Sequence, residues 1–366
     1  MKVSIFDVAK KSGLSVVTVS RVLNNSSSVR QKNKERVLQA MRELDYHPNA
    51  SARSLARGKT GIIGLTLTTL HDSFFDAVVN EINDRLAEHG YYLALSISKS
   101  YEDAFHRSLF QEDRVDGVIL LSPFDEDEYV SELKKKQIPF IMIDNSKKNP
   151  QVTSIIVDNF RGGYEATKHL IELGHTEIAH IAGPDHFLSS RERERGFKAA
   201  LEEAGLQPYC IERGTFEIST GYHIAMDWIA SDKLPPAVFA GDDNIALGIM
   251  DACLNEGVRI PRDISVVGFD DQILASEFRP LLTTIRQPAD KIAAMGVELL
   301  LAAISNTSTK NATVQIEPEL IIRESTAPTP KITSLSFRYK YVKGFQPLSG
   351  RNSFFSLCSS ASACIR

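Results

Sequence analysis

SIFDVAKKSGLSVVTVSRVLN, running from Ser4 to Asn24, holds two short helical patterns with a glycine between them. Ser4 precedes an amphipathic stretch, Ile5 to Ser12, in which Ile5, Val8 and Ala9 share a face. Asp7 stands three residues after Ser4, the spacing of a capping box. Gly13 and Leu14 break the pattern, and Ser15 is placed to cap a second helix from Val16 to Asn24. There Val19, Val22 and Leu23 share a face, while Val16, Val17, Ser20 and Arg21 are expected to turn elsewhere. A third helix, Gln31 to Leu44, repeats the apolar spacing through Val37, Leu38, Met41 and Leu44. Two short helices joined by a glycine turn and backed by a third make a helix-turn-helix, whose second helix enters the DNA major groove.

Beyond Tyr46-His47-Pro48-Asn49 lies a short segment, Ala50 to Arg57, bounded by Gly58. Eight residues are too few for a helix stable on its own, because nucleation is costly. Leu55 beside Arg53 and Arg57 fits a minor-groove wedge flanked by phosphate-binding charge. The same residues also fit a flexible linker whose leucine packs on the rest of the chain.

Net charge at first argues against a polyanionic partner, since the whole chain of 366 residues carries −4. It is unevenly spread. Residues 1–60 hold twelve Lys or Arg against four Asp or Glu, +8; residues 333–366 hold five basic side chains and no acid, +5; the stretch between carries −17. A basic head on an acidic body is the asymmetry of a domain that faces nucleic acid, although a solvated basic helix surface would give the same count. With 43% hydrophobic and 24% charged residues the chain is an ordinary globular one. No apolar run approaches the roughly 20 residues of a membrane helix, and charge comes too early for a signal peptide. Cys210, Cys253, Cys358 and Cys364 show no metal-ligand spacing. A cytoplasmic protein with no cofactor, no metal and no membrane partner is expected.

From Gly61 the period changes. Strand-like runs at Ile62–Leu67, Tyr91–Ile97, Val118–Leu121, Phe140–Ile143, Ile178–Ala182, Ala237–Ala240 and Ile264–Phe269 alternate with helical patterns. The latter include one through Phe75, Val78, Val79, Ile82 and Leu86, and others at Phe105–Gln111, Gly163–Glu172, Arg193–Ala204 and Ile245–Asn255. Such alternation predicts parallel sheets covered on both faces, and so many strands predict two sheets. Ligands of open α/β sheets bind beyond the C-terminal strand ends. Those positions carry Asp72, Phe74, Phe75, Asp144, Asp242-Asp243 and Asp270-Asp271, with Arg193 at the head of a helical pattern. Carboxylates, an arginine and aromatic faces suit a polyhydroxylated ligand, whose hydroxyls both donate and accept. A single such Asp is more simply a helix cap, the role expected of Asp243 and Asp271.

The runs Ile5-Phe6-Asp7-Val8-Ala9, Ser15 to Asn24 and Asp45 to Leu55 closely resemble the N-terminal signature of the LacI/GalR family of bacterial repressors. The resemblance continues through Ser154–Asn159, Leu173-Gly174-His175, Ile181–Pro184, Ser265–Asp271 and Thr283–Pro288. It implies an all-α helix-turn-helix domain (1–48), a hinge helix (49–60) and a two-lobed α/β, periplasmic-binding-protein-like effector and dimerisation domain (61–327). By the resemblance Val16, Val17 and Arg21 read bases, Ser20 and Asn24 hold the backbone, and Ala52 and Leu55, with Arg53 beside them, enter the minor groove. Phe74, Asp144, Arg193, Phe216, Asp242 and Asp270 fall on effector-contact positions. Two valines leave only apolar contact at their positions, so Arg21 is the main hydrogen-bonding reader, most naturally of guanine. Arg30 stands where many relatives have a capping serine, which removes a cap and adds charge.

The function expected is that of a homodimeric repressor on a pseudo-palindromic operator, controlling carbohydrate-utilisation genes through a sugar-like effector, and not an enzyme. Within the same family, a global carbon-catabolite regulator with a phosphoprotein co-repressor and a purine-responsive repressor are alternatives. Residues 328–366, serine-rich and without a leucine heptad, are expected to be an atypical, disordered tail.

Overall fold

The computed structural model describes residues 3–23, 26, 28–46, 59–69, 73–97, 114–123, 125–145, 151–307 and 311–329. The expected helix at Phe105–Gln111, the hinge segment and the tail from residue 330 onward lie outside them.

Three helices open the chain: α1 (Ile5–Ser12), α2 (Val16–Leu23) and α3 (Gln31–Glu43). The capping box forms, with the Ser4 N–H donating to Asp7 Oδ2 at 2.9 Å and the Asp7 N–H donating to Ser4 Oγ. Gly13 ends α1 at φ 65°, where a side chain would be strained, and its absent Cβ leaves room for the Arg36 guanidinium. The Thr18 N–H donates to Ser15 Oγ at 3.2 Å, so Ser15 caps α2 as expected. Arg30 supplies α3 with no side-chain cap. Val8, Ala9, Val19, Val22, Val37 and Ala40 make the small core between the helices.

The body begins with β1 (Ile62–Leu67), α4 (Ser73–Glu88), β2 (Tyr92–Ile97), β3 (Gly117–Leu121), α5 (Glu126–Lys135), β4 (Phe140–Ile143) and β5 (Ser154–Val157). It continues with α6 (Asn159–Glu172), β6 (Ile178–Ala182), α7 (Leu188–Glu203), β7 (Ile211–Arg213), α8 (Ile218–Ala230), β8 (Ala237–Ala240) and α9 (Asp243–Asn255). Last come β9 (Ser265–Asp270), a 3₁₀ turn (Ile273–Ser276), β10 (Thr283–Arg286), α10 (Ala289–Ile304), β11 (Thr313–Ile316) and β12 (Glu319–Ile321). The strands form two six-stranded sheets, β11-β5-β4-β3-β1-β2 and β12-β10-β9-β8-β6-β7. Every pairing is parallel except β10 with β12.

Strand periodicity assigns the faces. In β3, Ile119 and Leu121 pack under α4 and α10, while Val118 and Leu120 pack with Tyr129, Val130 and Leu133 of α5. In the second sheet, Val238 and Ala240 of β8 face α8 and α9, while Ala237 and Phe239 face α6 and α7. A strand buried on both sides cannot alternate apolar with polar, which is why these strands read as continuous apolar runs.

Among the described residues the chain passes between the two lobes three times: from β5 to α6, from β10 to α10 and from β11 to β12. No helix of the described residues is long and apolar enough to cross a membrane.

Candidate functional site

On the DNA-binding candidate, Val17 is 61% exposed and Arg21 is exposed, with Ser20 half-buried. Val16, expected to face away from the helical core, instead packs partly against it. It lies three residues from Val19 and therefore on the same helix face. Asn24, Ala52, Arg53 and Leu55 lie outside the described residues. Phe6, 69% exposed on the first turn of α1, was not singled out by the sequence pattern. Its signal is its position off the Ile5, Val8, Ala9 face.

The second candidate lies where strands end between the lobes. Arg193 is at its centre, 5% exposed. Its Nε donates to Asn159 Oδ1 at 2.9 Å, Nη1 to the Gly241 carbonyl at 2.6 Å and Nη2 to Asp270 Oδ1 at 3.1 Å. Its guanidinium lies over the Phe269 ring at 3.7 Å and within 5.9 Å of the Phe216 ring. The helix carrying it starts at Leu188, not at Arg193; its first turn follows Phe187, which makes no side-chain cap and so leaves no local signal.

Asp270 closes β9 at φ 109°, outside the range ordinary side chains adopt. Strain of that kind persists only where surrounding bonds hold it, and Gln287 Nε2 donates to the same Oδ1 at 2.6 Å. Burial pushes the Asp270 carboxyl above its usual range; Arg193, Gln287 and Gln272 pull it back, and Asp144 pushes it up again. Asp144, at the end of β4 in the other lobe, thus shares the electrostatic environment of Asp270. With Asn145, Asp158, Asn159, Ser189 and Glu192 it lines a cavity holding about 380 Å³ of atom-free space, part of it open to solvent.

The cap expected at Asp243 falls one residue earlier. Asp242 caps α9, its Oδ1 accepting from the Ile245 N–H at 2.8 Å. Asp243, expected to be the cap, is fully buried and accepts from the Gln272 N–H at 2.7 Å and the Thr284 hydroxyl at 2.5 Å. The N-cap is the last non-helical residue, and β8 ends one residue too early for Asp243 to occupy it. Burial pushes the Asp243 carboxyl well above its usual range, with Asp270 adding repulsion. Asp271 is no cap either: it accepts from Arg286 and Arg323, which arrive from β10 and from beyond β12.

Phe216 packs against Phe187 at a ring separation of 5.8 Å, and any Cβ on Gly183 would collide with it. Phe74 is 7% exposed and joins the apolar cluster under α4, with Phe75 at 5.9 Å. The structure therefore gathers Arg193, Asp270 and Phe216, adds Asp144 from the facing lobe, and brings in Asn159, Phe187 and Gln287, which sequence reasoning missed. Asn159 and Gln287 sit in family landmarks but gave no chemical signal of their own.

Residues 4–49 match the family described as bacterial regulatory proteins, lacI family, and residues 167–326 match the periplasmic binding protein-like domain. The chain is 36% identical over 335 residues to the HTH-type transcriptional repressor PurR of Edwardsiella ictaluri, a match spanning 90% of this chain and 98% of that one. Among solved structures, the Lac repressor dimer bound to operator and the anti-inducer ONPF is 32% identical, with a TM-score of 0.81 over 89% of this chain and all of that one. The complex of the transcriptional regulator CelR with cellobiose is 29% identical, with a TM-score of 0.66 over 88% of this chain and all of that one. The chain belongs to the LacI family of bacterial regulatory proteins, DNA-binding transcriptional regulators that respond to small molecules and are not enzymes.

Proposed function

We propose that this regulator represses carbohydrate-utilisation genes in the cytoplasm as a homodimer, and that an uncharged sugar bound between its lobes alters its grip on a pseudo-palindromic operator. The observation that carries the effector class is the engagement of Arg193 by the protein's own acceptors through each of its three nitrogens. Its guanidinium is held by Asp270, Asn159 and the Gly241 carbonyl, and the wall of the adjoining cavity carries Asp144, Asp158 and Glu192. An anionic ligand would meet these carboxylates while Arg193 is already engaged, whereas sugar hydroxyls can donate to them. Phe216 and Phe187 offer ring faces for the apolar side of a sugar.

A purine effector is a second reading, favoured by the likeness to PurR repressors. Thermal unfolding with cellobiose and with hypoxanthine separates the two. Either ligand at about 100 times its Kd adds roughly 2.7 kcal/mol of stability. Stabilisation by cellobiose alone is the expected result, and stabilisation by hypoxanthine alone would replace the sugar reading with the purine one.

On the DNA side, Val17 and Arg21 are the exposed readers, with Val16 contributing its uncovered edge and Ser20 bonding phosphate. Asn24, Ala52, Arg53 and Leu55 complete the interface in this proposal. Replacing Arg21 with Ala should cost about 1–3 kcal/mol on the operator and relax the base preference at one guanine. Equal losses on operator and random duplex, measured by fluorescence anisotropy, would instead make Arg21 a phosphate contact.

A further inference from the structure

Asn159 and Gln287 stand on two of the three passages between the lobes, and each is bonded to the Arg193–Asp270 pair. Asn159 is the first residue of α6, just after the chain leaves β5. Its Nδ2 donates to the carbonyl of Val157, the last residue of β5 in the first lobe, at 3.1 Å. Its Oδ1 accepts from Arg193 of the second lobe, so one side chain holds both banks of the passage. Gln287 lies between β10 and α10, and donates twice to Asp270: from the backbone to the carbonyl at 3.3 Å and from Nε2 to Oδ1 at 2.6 Å. Both side chains are buried, which shields these bonds from competition with water. The third passage differs. Its Glu317 and Glu319 pair with Arg161 and Arg286 in exposed contacts of 3.5 and 3.7 Å.

We propose that Asn159 and Gln287 are positioning residues that set the angle between the lobes according to the state of the Arg193–Asp270 pair. The proposal rests on the cleft being the effector site. Asp270 Oδ1 already takes bonds from both Arg193 and Gln287. A ligand hydroxyl donating to that oxygen competes with one or the other and loosens the passage it holds. A hydroxyl accepting from a spare Arg193 N–H instead tightens the Asn159 side. The pair therefore converts which bonds a ligand makes into which passage is held.

The test uses the full chain without any effector. Spin labels are placed at Glu88→Cys in the first lobe and Glu256→Cys in the second, both exposed positions, with Cys210, Cys358 and Cys364 changed to Ser and buried Cys253 retained. Excess unlabelled protein isolates one labelled chain per dimer. Pulsed dipolar spectroscopy then compares Asn159→Asp, Gln287→Ala and the control Glu317→Gln. Asn159→Asp keeps an acceptor for Arg193 and removes the donor to Val157, so it releases the first-lobe end of the passage. The expected result is a broadened or displaced distance distribution for Asn159→Asp and Gln287→Ala, and an unchanged one for Glu317→Gln. Unchanged distributions with a lowered melting temperature would reduce both residues to ordinary structural bonds and overturn the proposal. So would an equal change in the control. Should Gln287→Ala fail to fold, Asn159→Asp decides alone. Because no effector is added, failure here leaves the reading of the cleft standing, and a failure of ligand binding leaves this result intact.

Discussion

His180 sits in the middle of β6 with its ring stacked 4.8 Å from Phe239 and 5.0 Å from Phe197. Its Nδ1–H donates to the Phe239 carbonyl at 2.8 Å, while Nε2 finds no partner among the described residues. Complete burial lowers its pKa to about 4. An imidazole that titrates near 6.5 when unfolded takes up protons more readily in the unfolded chain. The stability it contributes is present above pH 6.5 and is lost as pH falls through about 4. The full loss is roughly 3 kcal/mol at about 1.36 kcal/mol per pH unit. His180→Phe keeps the aromatic packing and removes the titration, at the cost of one hydrogen bond of about 1 kcal/mol. Urea denaturation at a series of pH values should therefore show a small loss at pH 7 and a flatter profile between pH 6.5 and 4. A profile parallel to the parent's would assign acid sensitivity elsewhere. At the same scale the limit of sequence reading is visible in Asp242 and Asp243. Both follow an apolar strand and precede a helix, and only a boundary placed to the single residue tells which one caps. Arg193 and Asp270 are 77 residues apart, so no local pattern could pair them.

Among the elements, α6 and α7 approach closely enough for backbone to touch backbone. A Cβ on Gly163 would collide with the carbonyl of Arg193, and a Cβ on Gly196 with the carbonyl of Phe160. These two glycines therefore fix how deep the turn bearing Arg193 is seated against α6 and Asn159. Gly196→Ala should push α7 outward, costing about 1–3 kcal/mol through overpacking. It should also weaken effector binding, since Arg193 moves with its helix. Gly205→Ala is the comparison: φ is 69° and nothing lies near, so it loses about 1 kcal/mol from backbone conformation and leaves binding unchanged. Calorimetric melting with effector titration separates the two, and intact binding in Gly196→Ala would dissociate helix seating from the site. The elements most legible in the sequence were those signalled locally, such as α1 and α2 with their serine caps and alternating faces. Less legible were β7, β11 and β12, which are only three or four residues long and partly exposed; their pairing partners define them more than their composition does.

Across the whole molecule the +8 head and −17 intervening stretch make a charge separation that the total of −4 conceals. An acidic stretch repels DNA while the basic first sixty residues attract it, and each phosphate neutralised there contributes about −0.9 to the slope of log affinity against log salt. Operator affinity should consequently fall steeply with salt. Effector affinity should scarcely move, given the uncharged ligand proposed for the cleft. That contrast allows the coupling between the two sites to be measured at one fixed salt concentration. If the effector changes operator affinity by some factor, the operator must change effector affinity by the same factor, because both routes connect the same four states. For couplings of about 1–3 kcal/mol the factor is roughly 5 to 150, well within reach of anisotropy and calorimetry. Equal factors measured independently at the two sites are the expected outcome. Effector affinity indifferent to saturating operator, in a protein whose operator affinity does respond to effector, would require the ligand to act at a site other than the Arg193–Asp270 cleft or through a change in assembly.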